Sequence, residues 1–199
     1  MSDLTVLRAR ERREMPWKNG AGITREVIVQ PAGADFDSFD WRISIASITN
    51  SGPFSQFPGI DRRLVVLEGQ LTLRIDGEAG IELSAASPPV LLAGELAIQA
   101  EPTLAPVADL NVMTRRGRYR SSLQAQTLGA PVTIHNGASC TVLISTELID
   151  IEYEGMEHRL QPRDAVLLRG TGAARLAPRA APAIFYLIEI TETDVGSSA

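Results

Sequence analysis

No stretch of this 199-residue chain sustains an apolar stripe at helical spacing over 12 residues or more. Apolar segments are short, and glycine or proline interrupts them at frequent intervals. Alternating or β-branched segments fall at residues 23–29, 41–48, 64–67, 71–75, 90–92, 110–113, 141–144, 148–153, 165–168 and 184–190, and each reads as a strand. The single helical candidate, residues 9–15, is brief and is stopped by Pro16. Many short strands separated by turn signals predict an all-β protein, sandwich or barrel, with few or no long helices.

The pattern occurs twice. Leu71, Leu73 and Ile75 lead into Asp76-Gly77, then Ile81, Leu83 and Val90-Leu-Leu-Ala-Gly94. Ile149, Ile151 and Tyr153 lead into Glu154-Gly155, then His158, Leu160 and Val166-Leu-Leu-Arg-Gly170. The turn and closing glycines lie 17 residues apart in the first copy and 15 in the second. Each copy reads as strand, tight turn, strand, loop, strand. A repeat near 77 residues is too long for a solenoid and predicts two similar β-barrels in tandem. The rival explanation is coincidence between two generic hairpins. The polar stretch at residues 118–126 is the expected boundary, giving a first barrel over residues 1–119 and a second over 120–199 in one compact unit. The Pro- and Ala-rich residues 176–182 read as a loop, and residues 196–199 as a frayed end.

Composition narrows the partners. A net charge of -5 and a pI near 5.1 argue against nucleic acid, whose phosphates need a basic surface. The arginine clusters at residues 8–13 and 115–120 read as solvated or anion-facing edges. A single cysteine, Cys140, forbids an internal disulfide and favours a reducing compartment. No secretory signal opens the chain and no apolar run approaches bilayer length, so a cytoplasmic protein without a membrane partner is expected.

Several chemistries are missing. His135 and His158 are the only histidines, on separate hairpins and without metal-ligand spacing, so no metal site is expected. Cys140 opens an apolar strand and reads as buried and inert. Nucleophile-elbow, P-loop and dinucleotide motifs are absent, and no cofactor is expected.

What is present is polar and paired. In the strand at residues 41–48, Arg42, Ser44 and Ala46 share one face. Asp109 and Asn111 share another, as do Thr24 and Glu26. Such faces either meet water or line a concave pocket. Residues 52–63 hold two phenylalanines, two prolines and an Asp-Arg pair, either a self-packed loop or the rim of an anion site. Residues 15–27 hold Trp17, Asn19 and a glycine-relaxed turn ahead of Thr24 and Glu26.

Taken together, residues 16–26 (PWKNGAGITRE), 41–46 (WRISIA), 52–62 (GPFSQFPGIDR), 67–69 (LEG) and 109–117 (DLNVMTRRG) resemble the HutD/Ves family of bacterial proteins, in the family's order. Ala21 departs from a glycine often found there. The resemblance implies a two-barrel cupin, or bicupin, without an established catalytic activity. It also implies a regulatory link to histidine utilisation, through an anionic small-molecule ligand of the urocanate or formylglutamate class. Carried over residue by residue, the candidate ligand-binding positions are Asn19, Thr24, Glu26, Arg42, Ser44, Arg62, Asp109 and Asn111, with Trp17 and Phe54 as pocket walls. Arg42 and Arg62 would clamp a carboxylate, Asn19 and Ser44 would orient it, and Glu26 and Asp109 would hold the arginines or accept a ligand donor. Two alternatives stand beside binding: a metal-independent enzyme with Glu26 as general acid or base, and an interaction module whose barrel faces join two subunits as a homodimer, since cupins are often oligomeric.

Overall fold

Strands dominate the computed structural model, which describes residues 3–17, 19–180 and 182–193. Strand β1 (Asp3–Leu7) is followed by one 3-10 turn at Ala9–Glu11, the only helical element among the described residues. The helix expected over residues 9–15 therefore shrinks to that turn, and its far end is extended as β2 (Glu14–Pro16). No helix among the described residues is long and apolar enough to cross a membrane.

The chain divides into two compact units. The larger holds residues 13–120. Besides β2 it contains β3 (Gly22–Gln30), β4 (Trp41–Ile48), β5 (Gly52–Pro53), β6 (Ile60–Ile75), β7 (Ile81–Ser84), β8 (Val90–Ala93) and β9 (Ile98–Arg115). These form one sheet in the order β2-β3-β4-β9-β6-β7, with β5 on β9 and β8 on β6. Residues 64–67 and 71–75, expected as separate strands, are one strand, β6, whose ladder with β9 slips around residues 66–71. Gly69 sits in that slip at φ 78°, and any side chain there would collide with the backbone oxygens of Leu104 and Pro106. Beyond the bulge Leu71 and Leu73 pack with Leu64 and Val66 in one core, joined by Leu83, Ile98 and Val107.

The smaller unit holds the first 12 residues with residues 121–192. It contains β10 (Tyr119–Leu128), β11 (Val132–His135), β12 (Cys140–Ser145), β13 (Ile149–Tyr153), β14 (Met156–Leu160), β15 (Ala165–Arg169), β16 (Ala173–Pro178) and β17 (Ala183–Glu192). One sheet runs β1-β15-β12-β17-β10 and the other β11-β16-β13-β14. Leu143, Val166, Leu168 and Phe185 of the first sheet meet Ile151, Tyr153, Leu160 and Leu176 of the second. β16 occupies part of the segment expected to be a loop at residues 176–182, and the expected fraying at residues 196–199 lies outside the described residues.

The two units repeat one strand order. In the smaller, β15-β12-β17-β10 and β14-β13-β16-β11 are separate rows. In the larger, the first part of β6 pairs with β8 and the second with β7. Likewise β9 meets β4 with its later residues and β5 with its earlier ones. β6 thus does the work of β12 plus β13, and β9 that of β16 plus β17. Both turns of the sequence repeat adopt the same left-handed pair, Asp76 and Gly77 at φ 49° and 78°, Glu154 and Gly155 at 48° and 77°. That is the hairpin geometry Asp-Gly favours. None of the three sheets closes on itself among the described residues, so the closed barrels expected from sequence are not what the strand pairing gives.

One segment departs from the expected division at residue 119. β1 pairs with β15 throughout, from Asp3 opposite Arg169 to Leu7 opposite Ala165, so the first strand belongs to the smaller unit. Asp164 anchors it: the buried carboxylate accepts from Arg8 Nη1 (2.8 Å), Ala9 N (2.7 Å) and Gln161 N (3.0 Å). The second arginine cluster is a brace. Arg116 bonds Asp61 and Glu95, and Arg118 bonds Asp40.

Candidate functional site

Three neighbouring strands of the larger unit bring the polar faces together. Arg42 of β4 lies opposite Met113 of β9, and Met113 opposite Arg62 of β6. Ser44, Asn111 and Leu64 form the next row, and Ala46, Asp109 and Val66 the one after. Strict alternation turns all nine to one face. Six of the nine form the floor of a cavity of about 640 Å³, a volume in the range of small-molecule sites, while Leu64 and Val66 join the apolar core. Arg42, Ser44, Arg62, Asp109 and Asn111 line it, and all are buried.

The arginines are held individually. Arg42 Nε donates to Glu26 Oε2 at 2.8 Å, and its guanidinium lies 5.0 Å from the Phe36 ring centroid. Arg62 Nη2 donates to Asn111 Oδ1 at 2.9 Å, and its guanidinium sits 5.0 Å from the Phe54 ring and 5.9 Å from Phe57. Asn111 Nδ2 in turn donates to Asp109 Oδ2 at 2.8 Å. Planar guanidinium on aromatic faces is a favourable desolvated arrangement. The 52–63 loop supplies Phe54, Ser55, Gln56 and Phe57 to the rim, and Trp17 stands edge-on to Phe54 at 5.9 Å.

Burial dominates the electrostatics. It lowers the Arg62 pKa to about 10; the Asp109 charge opposes this and the Arg42 charge adds to it. Burial raises the Asp109 carboxyl to about 6, against the pull of Arg62 and the Asn111 hydrogen bond. A carboxyl raised on folding stabilises fully below its unfolded value and loses that contribution as pH climbs through the folded one. Asp109 should therefore make the protein on the order of 2 kcal/mol less stable at pH 7 than at pH 4, relative to Asp109→Asn. Denaturant melts of both proteins at the two pH values check this; parallel pH dependence would refute it.

Most of the candidate residues meet at the cavity, but not all. Trp17, Asn19, Arg42, Ser44, Phe54, Arg62, Asp109 and Asn111 line it. Thr24 and Glu26 do not; they stand beside it on β3, opposite Ala46 and Ser44, with Thr24 Oγ1 accepting from Trp17 Nε1 at 2.8 Å and Glu26 fixing Arg42. Asn19 is partly engaged in its own turn, its Oδ1 accepting from Ala21 N at 3.0 Å. Phe36 and Met113 were not anticipated as lining residues. Met113 follows Asp109 and Asn111 on the same face, a signal that alternation does provide. Phe36 sits in an acidic loop with no local pattern.

The donor set does not suit a divalent cation. Two guanidinium groups share the floor with one carboxyl, and cations there would repel a metal ion. The histidines lie elsewhere. His135 is on β11 and His158 on β14, opposite edges of the four-stranded sheet with β16 and β13 between them. Cys140 is buried, and burial pushes its thiol up to about 11, away from nucleophile chemistry.

A family model described as HutD matches residues 9–185. An uncharacterized 21.2 kDa protein in the hutC 3′ region of Pseudomonas putida is 34% identical over 179 residues, 85% of this chain and 89% of that protein. HutD from Pseudomonas fluorescens SBW25 superposes with a TM-score of 0.79 at 27% identity, covering 96% of this chain and 100% of that one. A cupin 2 conserved barrel domain protein from Leptotrichia buccalis shares the fold alone, with a TM-score of 0.61 at 8% identity over 93% of this chain and 100% of that one.

Proposed function

The chain belongs to the HutD family, and from that premise we propose that the cavity of its larger unit binds a small organic carboxylate, holding it rather than transforming it. One observation carries this reading. Arg42 and Arg62, both buried on the cavity floor, keep N–H groups without a partner at Arg42 Nη2 and Arg62 Nε. Buried donors of charged groups are costly to leave unmatched, and a carboxylate oxygen is the acceptor that guanidinium geometry fits best. Phe36, Phe54, Phe57 and Trp17 suit the apolar body of such a ligand.

The repeated strand order and the cupin likeness support reading the chain as two cupin units fused in tandem, only the larger of which carries this site. The family's link to histidine utilisation supports urocanate and N-formylglutamate as first ligands, and a regulatory role inside the cell. Calorimetry with urocanate, N-formylglutamate and histidine tests the proposal. Binding of at least one is expected, with affinity about tenfold weaker in Arg42→Ala, the loss typical of one charge-assisted hydrogen bond. No heat with any of the three would remove this reading.

An enzymatic reading stays second, and it moves from Glu26 to Asp109. Glu26 is tied to Arg42 outside the cavity, whereas Asp109 lines it with a carboxyl raised to about 6, a value suited to proton transfer near neutrality. Product formation in the calorimetry samples would bring this reading forward.

A further inference from the structure

Three buried polar atoms of the cavity floor lack a partner, and they are of two kinds. Arg42 Nη2 and Arg62 Nε are donors, and Asp109 Oδ1 is an acceptor. Their side chains belong to residues only 5%, 6% and 0% exposed, and all three residues line the same cavity.

The network between them fixes which atom is left over. A guanidinium can only donate. Asn111 must therefore turn Oδ1 to Arg62 and Nδ2 to Asp109, the arrangement observed at 2.9 and 2.8 Å. That engages Asp109 Oδ2 and leaves Oδ1. The amide of Asn111 thus separates a donor end of the site from an acceptor end.

We infer that the ligand is bifunctional: an anionic acceptor group answers Arg42 Nη2 and Arg62 Nε, and an N–H or O–H donor on the same molecule answers Asp109 Oδ1. This rests on the carboxylate reading above and narrows it. A plain monocarboxylate would answer the two arginines and leave Asp109 Oδ1 bare. A phosphate or sulfate ester would bring further anionic oxygens toward a carboxylate in a dry site, which is unfavourable. An acid that also carries a ring or amide N–H matches both ends. Recognition by a buried polar group is also the strongest route to discrimination, because an analogue without the matching hydrogen leaves that group unpaired.

A matched pair of planar acids tests this near neutral pH. Urocanate has a ring N–H, and (E)-3-(2-furyl)acrylate has nearly the same shape without one. Calorimetry on the wild-type protein should give urocanate at least about a tenfold preference. In Asp109→Asn the amide oxygen must turn to Asn111 Nδ2, placing an NH2 where Oδ1 stood. The preference should then fall to within about threefold. Equal wild-type affinities, within about twofold, would overturn the donor requirement and leave the carboxylate reading intact. Binding of neither acid, nor of N-formylglutamate, at millimolar concentration would overturn both. Should Asp109→Asn fail to fold, the wild-type pair decides alone.

Discussion

Arg62→Ala is expected to weaken binding of the carboxylate ligand by about 100-fold, the upper end for charge-assisted hydrogen bonds to one buried side chain. Arg62 is 6% exposed, bracketed by Phe54 and Phe57, and the only donor to Asn111 Oδ1 among the contacts of the floor. Its removal takes away a ligand donor and also frees Asn111, whose orientation Arg62 sets. Fold stability should fall as well, because Asp109 stays buried without the guanidinium charge that faces it. Arg62→Lys should not restore binding, since a point charge on a flexible stem cannot reproduce a planar fork that lies over the Phe54 ring and donates to Asn111. Calorimetry paired with thermal melts separates the two effects. Wild-type affinity in Arg62→Ala would place the ligand elsewhere.

Asp164→Ala should cost about 3–4 kcal/mol, the range for breaking a buried, hydrogen-bonded ion pair. Burial pushes the Asp164 carboxyl up, but Ala9 N, Arg8 and Gln161 N pull harder, and the net result lies below the ordinary carboxylate range. A carboxyl lowered on folding contributes stability above its unfolded value and loses it as pH falls through the folded one. The smaller unit should therefore weaken in acid, below about pH 4. In Asp164→Ala that acid response should shrink and amide exchange at Thr5–Leu7 should quicken, because Arg8 and two backbone N–H groups lose their acceptor. Unchanged exchange across β1 would show that strand pairing alone holds it.

Where the signal was local, the sequence carried it. Residues 41–46 alternate strictly, and β4 runs over residues 41–48 with the expected ends. The Asp-Gly and Glu-Gly turns announced the repeated hairpins, and the faces of Arg42, Ser44, Asp109 and Asn111 meet on one floor. Two kinds of feature escaped. Residues 64–67 and 71–75 read as two strands with Gly69 between them, yet Gly69 serves a bulge inside one long strand. β9 reads as four residues because Pro102 and Pro106 interrupt the strand signal, and both fall in the irregular part of its ladder with β6. Partners distant in sequence also left no trace. Nothing in Leu4 or Val6 points to Leu168 or Val166, and nothing near Phe36 points to Arg42.

That distant pairing sets an order of events during synthesis. β1 leaves the ribosome roughly 160 residues before β15, a delay of about 10–30 s at ordinary elongation rates. Residues 13–120, by contrast, contain all the strand partners of their own sheet and can consolidate while the rest is still being made. Throughout that interval Leu4, Val6 and Leu7 have no partner strand, and their exposed edge is open to other chains. Residues 8–14, which follow, carry four arginines against two glutamates and so put a net positive charge beside that edge. The same Arg8 that later locks onto Asp164 can keep the nascent strand apart from its copies until its own partner emerges.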